Sequence, residues 1–329
     1  MNMDSDTDLA SLLRAAGVRV QPSEKVASGV RAAVEAEWRS ICEARQRRQR
    51  YTLWSAAAGI AVTAVAVWLA QPLYLHAHDP VASLARVEGR VEYRTDGAEK
   101  WGPLPAGVTL RPGDQLRTGD TGRVALKLTN GVEIRLDTST RVALNDLHHA
   151  RLRRGGVYVD SGDGGSDPAR DLELETPAGT LRHLGTQYEA RVVGDSIRVG
   201  VREGRVEIAA RSADVVGAAG EQLVIDEDGR VARSSLAANA NSWAWVGDVT
   251  PPFAIEGRSV DDFLKWAARE TGRSVNYASA DAARSARGIV LKGSVAGLTP
   301  EEAVTAVLST TSLQPSIDRD RIRIDATVP

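Results

Sequence analysis

The chain has 329 residues, and its 41 lysine and arginine residues nearly balance its 43 acidic residues, which gives a formal net charge of -2. This balance provides no overall basic character of the kind that nucleic-acid-binding proteins show, so we expect no direct nucleic-acid partner. The only cysteine, Cys42, cannot form an intramolecular disulfide, so any exported part must be stabilised by its own core. The length predicts two compact units with connecting segments.

Residues 1–50 are predicted to form a polar segment that contains one amphipathic helix, with Ser23 as a candidate N-cap. Its apolar side chains recur at spacings of three and four residues and share one face: Val26, Val30, Val34, Trp38 and Ile41. A single helix of this length cannot bury its own apolar stripe. The stripe therefore requires a protein partner, a second copy, a membrane surface or the leucine cluster at residues 9–13, and these alternatives stay open.

Residues 51–75 contain no charged side chain, and a helix of this length exceeds the roughly 30 Å thickness of a bilayer's hydrocarbon core. Aromatic residues suited to the headgroup layers mark both ends of the segment: Tyr51, Trp54, Trp68 and Tyr74. Four arginines precede the segment: Arg45, Arg47, Arg48 and Arg50. On its C-terminal side the next arginine is Arg86. The positive-inside rule therefore predicts a single-pass inner-membrane protein, with its N-terminus cytoplasmic and its C-terminal bulk periplasmic.

A cleaved signal peptide is the alternative interpretation of the apolar segment. The polar region of about 50 residues before it is too long for a signal peptide, and no A-x-A cleavage site follows. The sequence therefore favours a permanent membrane anchor.

Residues 81–233 are predicted to form many short β-strands. Residues 123–128 alternate between apolar and polar side chains, Asn130-Gly131 provides a predicted two-residue turn, and Val132, Ile134 and Leu136 resume the alternation. Repeated short strands with close turns predict an all-β antiparallel sandwich or roll. Residues 234–252 are rich in small residues and are predicted to be a linker.

Residues 253–329 show helical periodicity between short apolar runs. Ser259 with Asp262, and Thr299-Pro300 with Glu302, are predicted helix starts, and Gly272 is a predicted helix end. With strands expected at residues 253–255, 275–277, 289–291, 313–317 and 322–324, the pattern predicts a small α+β domain of β-α-β-β-α-β order.

Four sequence patches resemble the FecR domain, which is named for a ferric-citrate transmembrane sensor. They are residues 110–118, the hairpin around residues 130–131, residues 176–188 and residues 201–206. The positions that carry the resemblance are Gly113, Asp114, Thr118, Asn130, Gly131, Thr176, Pro177, Gly179, Gly185, Thr186, Glu203 and Gly204. Residues 245–324 resemble the secretin and TonB short N-terminal domain, especially at residues 255–260 and 291–293.

This resemblance implies a regulator that relays a periplasmic signal to a cytoplasmic extracytoplasmic-function sigma factor, as an anti-sigma factor. It also implies an outer-membrane transducer or another periplasmic protein as the input, and release of the cytoplasmic segment by proteolysis. FecR-type proteins commonly have several tryptophans in the cytoplasmic part, whereas Trp38 alone precedes the apolar segment here. A membrane-anchored periplasmic binding scaffold without a sigma-factor partner is the alternative function.

Neither catalysis nor metal binding is predicted, and we expect no cofactor. Adjacent His148 and His149 would point to opposite faces of a strand, so they could not share one ion unless the chain turns there. His183 with Asp171 and a nearby serine could be drawn as a triad, but no nucleophile elbow accompanies them. The expected functional surfaces are therefore those that bind proteins and membrane lipid.

Overall fold

The structure is a computed structural model that describes residues 24, 28–29, 79–162, 168–210 and 214–326. The chain divides into two compact units, residues 1–74 and residues 75–329. In the first unit, Glu24, Ser28 and Gly29 are described and are helical. The account below concerns the second unit.

The predicted apolar helix stripe, the arginine cluster and the aromatic residues that flank the apolar segment lie outside the described residues. Within the residues that are described, no helix is both long enough and apolar enough to cross a bilayer. The helix face and the membrane span therefore stay predictions.

The described residues of the second unit form eighteen strands and four α-helices. The strands are β1 (Ala82–Glu88), β2 (Val91–Arg94), β3 (Gly102–Pro103), β4 (Thr109–Leu110), β5 (Gln115–Thr118), β6 (Arg123–Leu128), β7 (Glu133–Leu136), β8 (Arg141–Leu144), β9 (His149–Asp160), β10 (Glu173–Thr176), β11 (Gly179–Val193), β12 (Ser196–Ala210), β13 (Asp214–Ala218), β14 (Glu221–Ile225), β15 (Val231–Ser235), β16 (Ser274–Tyr277), β17 (Leu313–Ile317) and β18 (Arg321–Ala326). The helices are α1 (Ala244–Asp248), α2 (Val260–Thr271), α3 (Ala280–Gly288) and α4 (Pro300–Leu308).

The strands β1 to β15 form one hydrogen-bonded sheet whose two layers share the long strands β9, β11 and β12. The first half of β9 pairs with β8 and β10, and its second half pairs with β7 and β11. Similarly, β12 pairs with β14 through residues 197–200 and with β13 through residues 205–209. The described pairs of this sheet are antiparallel except for β9 with β10, which agrees with the predicted antiparallel β architecture.

Glycine is required where the shared strands pass from one layer to the other. Gly155 in β9 has a φ of 81°, and a Cβ atom there would lie 2.5 Å from the Cα atom of Thr140. Gly204 in β12 has a φ of 75°, and a Cβ atom there would lie 2.4 Å from the carbonyl oxygen of Gly185. Any other residue would combine an unfavourable backbone conformation with a steric clash, so these glycines permit the bends.

The main hydrophobic core lies between the two layers. Inward side chains such as Leu116 of β5, Leu126 of β6, Leu136 of β7 and Val199 of β12 are at most 1% exposed. Each buried side chain of this size contributes about 1.5–3 kcal/mol relative to an exposed one. The alternation seen in the sequence therefore identifies the core face correctly.

The hairpin between β6 and β7 differs from the predicted two-residue turn. The Leu128 amide donates to the Val132 carbonyl and the Gly131 amide donates to the Leu128 carbonyl, so Thr129, Asn130 and Gly131 form a three-residue loop. Gly131 has a φ of 91°, which a three-residue hairpin loop requires at its last position. The sequence located the turn but not its length.

The segment 234–252, predicted to be a linker, is packed on the outside of the sheet. It contains a 3-10 turn at residues 241–243 followed by α1. Trp243 and Trp245 are 3% and 7% exposed, and Trp243 packs edge-to-face on Tyr158 of β9 at a centroid distance of 6.0 Å. The two tryptophans are thus core residues of a second, smaller hydrophobic cluster.

The C-terminal part combines helices α2, α3 and α4 with a three-stranded sheet of order β16-β18-β17. Both predicted capping boxes are present, because Ser259 and Thr299 each exchange hydrogen bonds with the residue three positions later. Gly272 ends α2 in the left-handed conformation with a φ of 66°. The helix starts and this helix end were therefore predicted correctly.

The predicted β-α-β-β-α-β order of this part is wrong. Residues 253–255 are not a strand, because Phe253 packs on the rings of Phe263 and Trp266 instead of pairing with a neighbour. In the segment 289–291, Val290 forms only an isolated bridge with Ser259. The helix α3 was not predicted, and the observed order is α2-β16-α3-α4-β17-β18.

Candidate functional site

The outward face of one layer of the sheet is buried under the C-terminal part of the chain. Ala125, Arg135, Tyr158 and Glu189 are cross-strand neighbours on β6, β7, β9 and β11. None of these four residues is more than 3% exposed, although an outward position on a sheet is normally exposed to solvent. This row is the floor of a contact between the sheet and the C-terminal part.

An ion pair between Arg135 and Glu270 lies at the centre of this contact. The guanidinium of Arg135 is fully buried and donates to both carboxylate oxygens of Glu270, at 2.7 Å and 3.0 Å. It also donates to the hydroxyl of Thr250 at 3.0 Å and to the carboxylate of Glu133 at 3.2 Å. Since a buried charge without a partner is strongly destabilising, Arg135 holds the last turn of α2 against β7.

The electrostatics of the pair favour the charged state of Arg135. Burial alone would lower the pKa of this guanidinium, but the charges of Glu270 and Glu133 and the hydrogen bond to Glu270 raise it above its ordinary value. For Glu133 burial dominates, and it raises the pKa of that carboxyl. The chemistry of the cluster is therefore that of a fixed structural ion pair.

A second ion pair joins α2 to the FecR-like turns of the β domain. Arg269 donates to Asp160 at 2.7 Å and to Glu203 at 2.5 Å. Although burial opposes ionisation, the charge of Arg269 and the hydrogen bonds from Arg269 and Gln187 hold the pKa of Asp160 below its usual range. Asp160 is the last residue of β9, and Glu203 lies within β12 directly before the bend at Gly204.

The motif residues Gly185, Thr186 and Gly204 position these carboxylates. The backbone of Thr186 is fixed by two hydrogen bonds to Ser161. The Thr186 amide donates to the hydroxyl of Ser161 at 2.8 Å, and the Thr186 carbonyl accepts from the Ser161 amide at 3.1 Å. Ser161 directly follows Asp160, and Gly204 directly follows Glu203. The bend of β11 and β12 thus presents both partners of Arg269.

The side chain of Arg202 in β12 binds a backbone carbonyl at the C-terminal end of α2. It donates to the carbonyl of Glu270 at 3.0 Å and to the carbonyl of Ala238 at 2.7 Å. Its guanidinium lies 4.9 Å from the centre of the Trp243 ring. A cation at this end of a helix is favoured by the helix dipole and satisfies a carbonyl that has no partner within the helix.

A cavity of about 260 Å³ opens beside this end of α2. Its lining includes Arg202, Trp243, Asp248, Glu270 and Arg273. The wall combines both charge signs with one aromatic ring, and it lies between the β domain and the C-terminal part.

The remaining FecR-like positions stabilise turns away from the contact. Asp114 is buried and accepts from the Tyr93 hydroxyl and the Arg111 amide, both at 2.9 Å. Gly113 has a φ of 87° and leaves room for Asp96, whose carboxylate carbon would lie 2.6 Å from a Cβ atom. The hydroxyl of Thr118 donates to the Asp137 carbonyl at 2.5 Å.

The Thr176-Pro177-Ala178-Gly179 patch is a tight turn between β10 and β11. The hydroxyl of Thr176 donates to the carbonyl of Gly179 at 2.6 Å, and a Cβ atom at Gly179 would lie 2.4 Å from the carbonyl oxygen of Ala209. The patch therefore sets the register of β11 against β12, and in the described residues it has no hydrogen bond with the ion pairs of Arg135 and Arg269.

The three histidines that the structure describes have structural partners. His148 bonds to the carbonyl of Asp171 at 2.8 Å, whereas His149 bonds to Asp146 at 2.9 Å. The buried Nε2 atom of His183 accepts from the Leu172 amide at 3.0 Å. In the described ranges, no group of three or more histidine, cysteine or acidic residues is arranged to hold a metal ion.

Sequence reasoning missed the central residues of the contact. Arg135 alternates with Ile134 and Leu136, and this alternation by itself favours the solvent face. The available signal was the pair Trp243 and Trp245 in a segment of small residues, since large aromatic side chains there require a surface to cover.

Comparison with known proteins gives one family match. A search of curated proteins finds no match. Two crystal structures of a "putative anti-sigma factor" from Parabacteroides distasonis ATCC 8503, at 2.50 Å and 1.65 Å resolution, align with 13% identity and a TM-score of 0.35. These alignments cover 65% of this chain and 99% of the other, and the likeness is too remote to indicate function.

Residues 114–207 match the family model described as FecR protein. The match includes eleven of the twelve FecR-like positions found in the sequence, from Asp114 to Gly204. It also contains four residues that bind the C-terminal part: Arg135, Asp160, Arg202 and Glu203. Residues 114–207 of the chain are therefore similar to the FecR protein family.

Proposed function

We propose that this protein is a transmembrane regulator that relays a periplasmic signal to a cytoplasmic extracytoplasmic-function sigma factor, which it holds as an anti-sigma factor. The observation that carries the proposal is the FecR match over residues 114–207. FecR proteins are regulators, and the proposal assigns no catalytic step to the chain.

The proposal requires residues 1–50 and residues 76–329 to lie on opposite sides of the inner membrane. The uncharged segment 51–75 and the arginines at its N-terminal side support this topology. Alkaline phosphatase fused after residue 326 should be active, whereas the same enzyme fused after residue 50 should be inactive. Activity of only the second fusion would contradict the proposed topology.

The sigma-factor partner is proposed to bind the apolar stripe from Val26 to Ile41. An amphipathic helix commonly binds a hydrophobic groove through residues at this spacing. A pull-down with residues 1–50 against the sigma factors of the same cell should capture one of them. The variant V34Q/W38Q should lose the complex, whereas the matched polar-face variant E35Q should retain it.

The relay is proposed to use the contact between the β domain and the C-terminal part. A periplasmic input, such as an outer-membrane transducer or another periplasmic protein, would favour one of two states of this contact. The support is that Arg135, Arg202 and Arg269 all hold the same end of α2. If so, E270Q should change the output of a sigma-dependent reporter, and E301Q, which breaks only an exposed ion pair with Arg273, should not.

Failure of any sigma factor to bind residues 1–50 would remove the anti-sigma function. A reporter that responds equally to E270Q and E301Q would remove the proposed role of the contact. The two experiments therefore test separate parts of the proposal.

A further inference from the structure

A row of arginines crosses the outer face of the other layer of the sheet. Arg117 of β5 lies directly opposite Arg141 of β8, which lies opposite Arg154 of β9. Neighbouring strands are about 4.8 Å apart, so these three cations are side by side. Like charges in this arrangement repel one another and destabilise a sheet.

Trp101 brings a further arginine to this row. The guanidinium groups of Arg94, Arg117 and Arg141 lie 5.1 Å, 4.6 Å and 5.2 Å from the centre of its ring. Arg153, beside the register shift in β9, is exposed next to Arg154. We call Arg94, Trp101, Arg117, Arg141, Arg153 and Arg154 the arginine face.

Carboxylates neutralise little of this charge. Glu92 accepts from Arg117 at 2.5 Å and also from Arg90 at 3.1 Å. Arg141 donates to the amide oxygen of Gln115 at 3.2 Å. In the described part of the chain, the other members of the face form no ion pair, and the Nε atoms of Arg94 and Arg141 are buried without a hydrogen-bond partner.

Burial and the neighbouring cations both disfavour the charged form of Arg141. Burial lowers the pKa of its guanidinium, and the charges of Arg94, Arg153, Arg117 and Arg154 lower it further. Stacking on Trp101 offsets part of the cost but adds no negative charge. The arginine face therefore carries positive charge that anions could neutralise. A planar guanidinium group can donate two parallel hydrogen bonds to phosphate oxygens.

The proposed membrane anchor would bring phosphate groups near this part of the chain. Five residues separate Leu75 from Val81 in the sequence, so the connection between the proposed span and β1 is short. The Val81 amide donates to the carbonyl of Leu110 at 2.8 Å. The turn at residues 111–114 then leads directly into β5, which carries Arg117.

We propose that the arginine face binds the phosphate headgroups of an anionic membrane and lays the β domain on the bilayer that anchors the chain. This proposal rests on the membrane topology given under the proposed function. A sheet face with cations on neighbouring strands suits the many phosphates of a lipid surface, and a tryptophan is the side chain that prefers the headgroup layer.

The test uses the full chain in nanodiscs made from brominated lipids, which quench tryptophan emission. The emission of Trp101 is obtained as the difference between the parent and W101F. In discs that contain phosphatidylglycerol, we expect this component to be quenched, and to recover in R117Q/R141Q/R154Q. The matched variant R230Q/R284Q/R321Q, which removes three exposed arginines from other surfaces, should leave it quenched.

Two further arms test the source of the anion. In phosphatidylcholine discs the Trp101 component should not be quenched, and in phosphatidylglycerol discs it should recover when the salt concentration approaches 1 M, where screening acts over about 3 Å. The salt arm uses the unsubstituted arginines, so it does not depend on the folding of a variant.

Absence of Trp101 quenching in phosphatidylglycerol discs, or equal quenching in both lipids, would overturn the proposal. A second combination of results would also overturn it. In that case Trp101 emission of the parent chain recovers when polyglutamate is added at constant salt, but the variant R117Q/R141Q/R154Q shows no recovery. If instead the chain fails to enter the discs at all, the proposed membrane anchor is wrong. The two failures are therefore distinguishable.

Discussion

Replacement of Glu270 by glutamine should strongly destabilise the exported region, because it leaves the Arg135 cation buried without its main counterion. Arg135 is fully buried and loses a bidentate pair of 2.7 Å and 3.0 Å. Removal of one partner from a buried ion pair costs about 3–5 kcal/mol. Glu133 remains at 3.2 Å, and glutamine still offers one acceptor, so we expect a loss of about 3 kcal/mol in the free energy of unfolding.

This loss corresponds to a decrease of more than about 100-fold in the folding equilibrium constant. For a region of this size, it also corresponds to a decrease of about 6–12 °C in the melting temperature. Urea unfolding of residues 79–329, followed by tryptophan fluorescence, measures the free energy. Trp243 and Trp245 lie in the contact, so their emission also reports its opening.

The matched control is E301Q, which breaks the exposed Arg273–Glu301 pair in the same part of the chain and should cost less than about 1 kcal/mol. The double variant R135M/E270L removes both charges. Its loss in the free energy of unfolding should be at least about 1 kcal/mol smaller than the sum of the losses in R135M and E270L. An E270Q loss no greater than that of E301Q, or additive losses in the double variant, would refute the reasoning.

Two further predictions concern the helix end and a buried histidine. G272A should undock α2 and lower the urea midpoint more than G257A, because both glycines have positive φ but only a Cβ atom at Gly272 would clash with the Ala238 carbonyl; equal midpoints would contradict this. Burial lowers the pKa of His183 in the folded state, so unfolded chains bind more protons and stability should fall as the pH decreases below about 6.5. In H183Q the urea midpoint should change less with pH between pH 5 and pH 7 than in the parent chain. An unchanged dependence of the midpoint on pH would assign the effect to other groups.

Much of the fold could be predicted where one physical signal dominates. The alternation through Leu126, Ile134 and Leu136 identified the core face, because one side of each strand faces the other layer. The capping residues Ser259 and Thr299 identified helix starts, because their side chains satisfy amides that the helix leaves unpaired.

The contact between the sheet and α2 could not be predicted from the same signals. Alternation assigns Arg135 to the outside of its sheet, but it does not reveal that another part of the chain covers that outside. Phe253 and Val290 were assigned to strands because apolar runs of that length are equally consistent with ring packing or a single bridge. The burial of Arg135 depends on contacts between residues more than a hundred positions apart, such as Arg135 with Glu270.

The sharing of β9, β11 and β12 between both layers has a mechanical consequence. Asp160 and Arg202 belong to two of these strands and bind the end of α2, so a displacement of that helix acts directly on backbones that continue into the opposite layer. A covalent, hydrogen-bonded strand is stiffer than two surfaces that slide past each other. The molecule can therefore transmit a small movement at the helix across its full thickness without loosening its core.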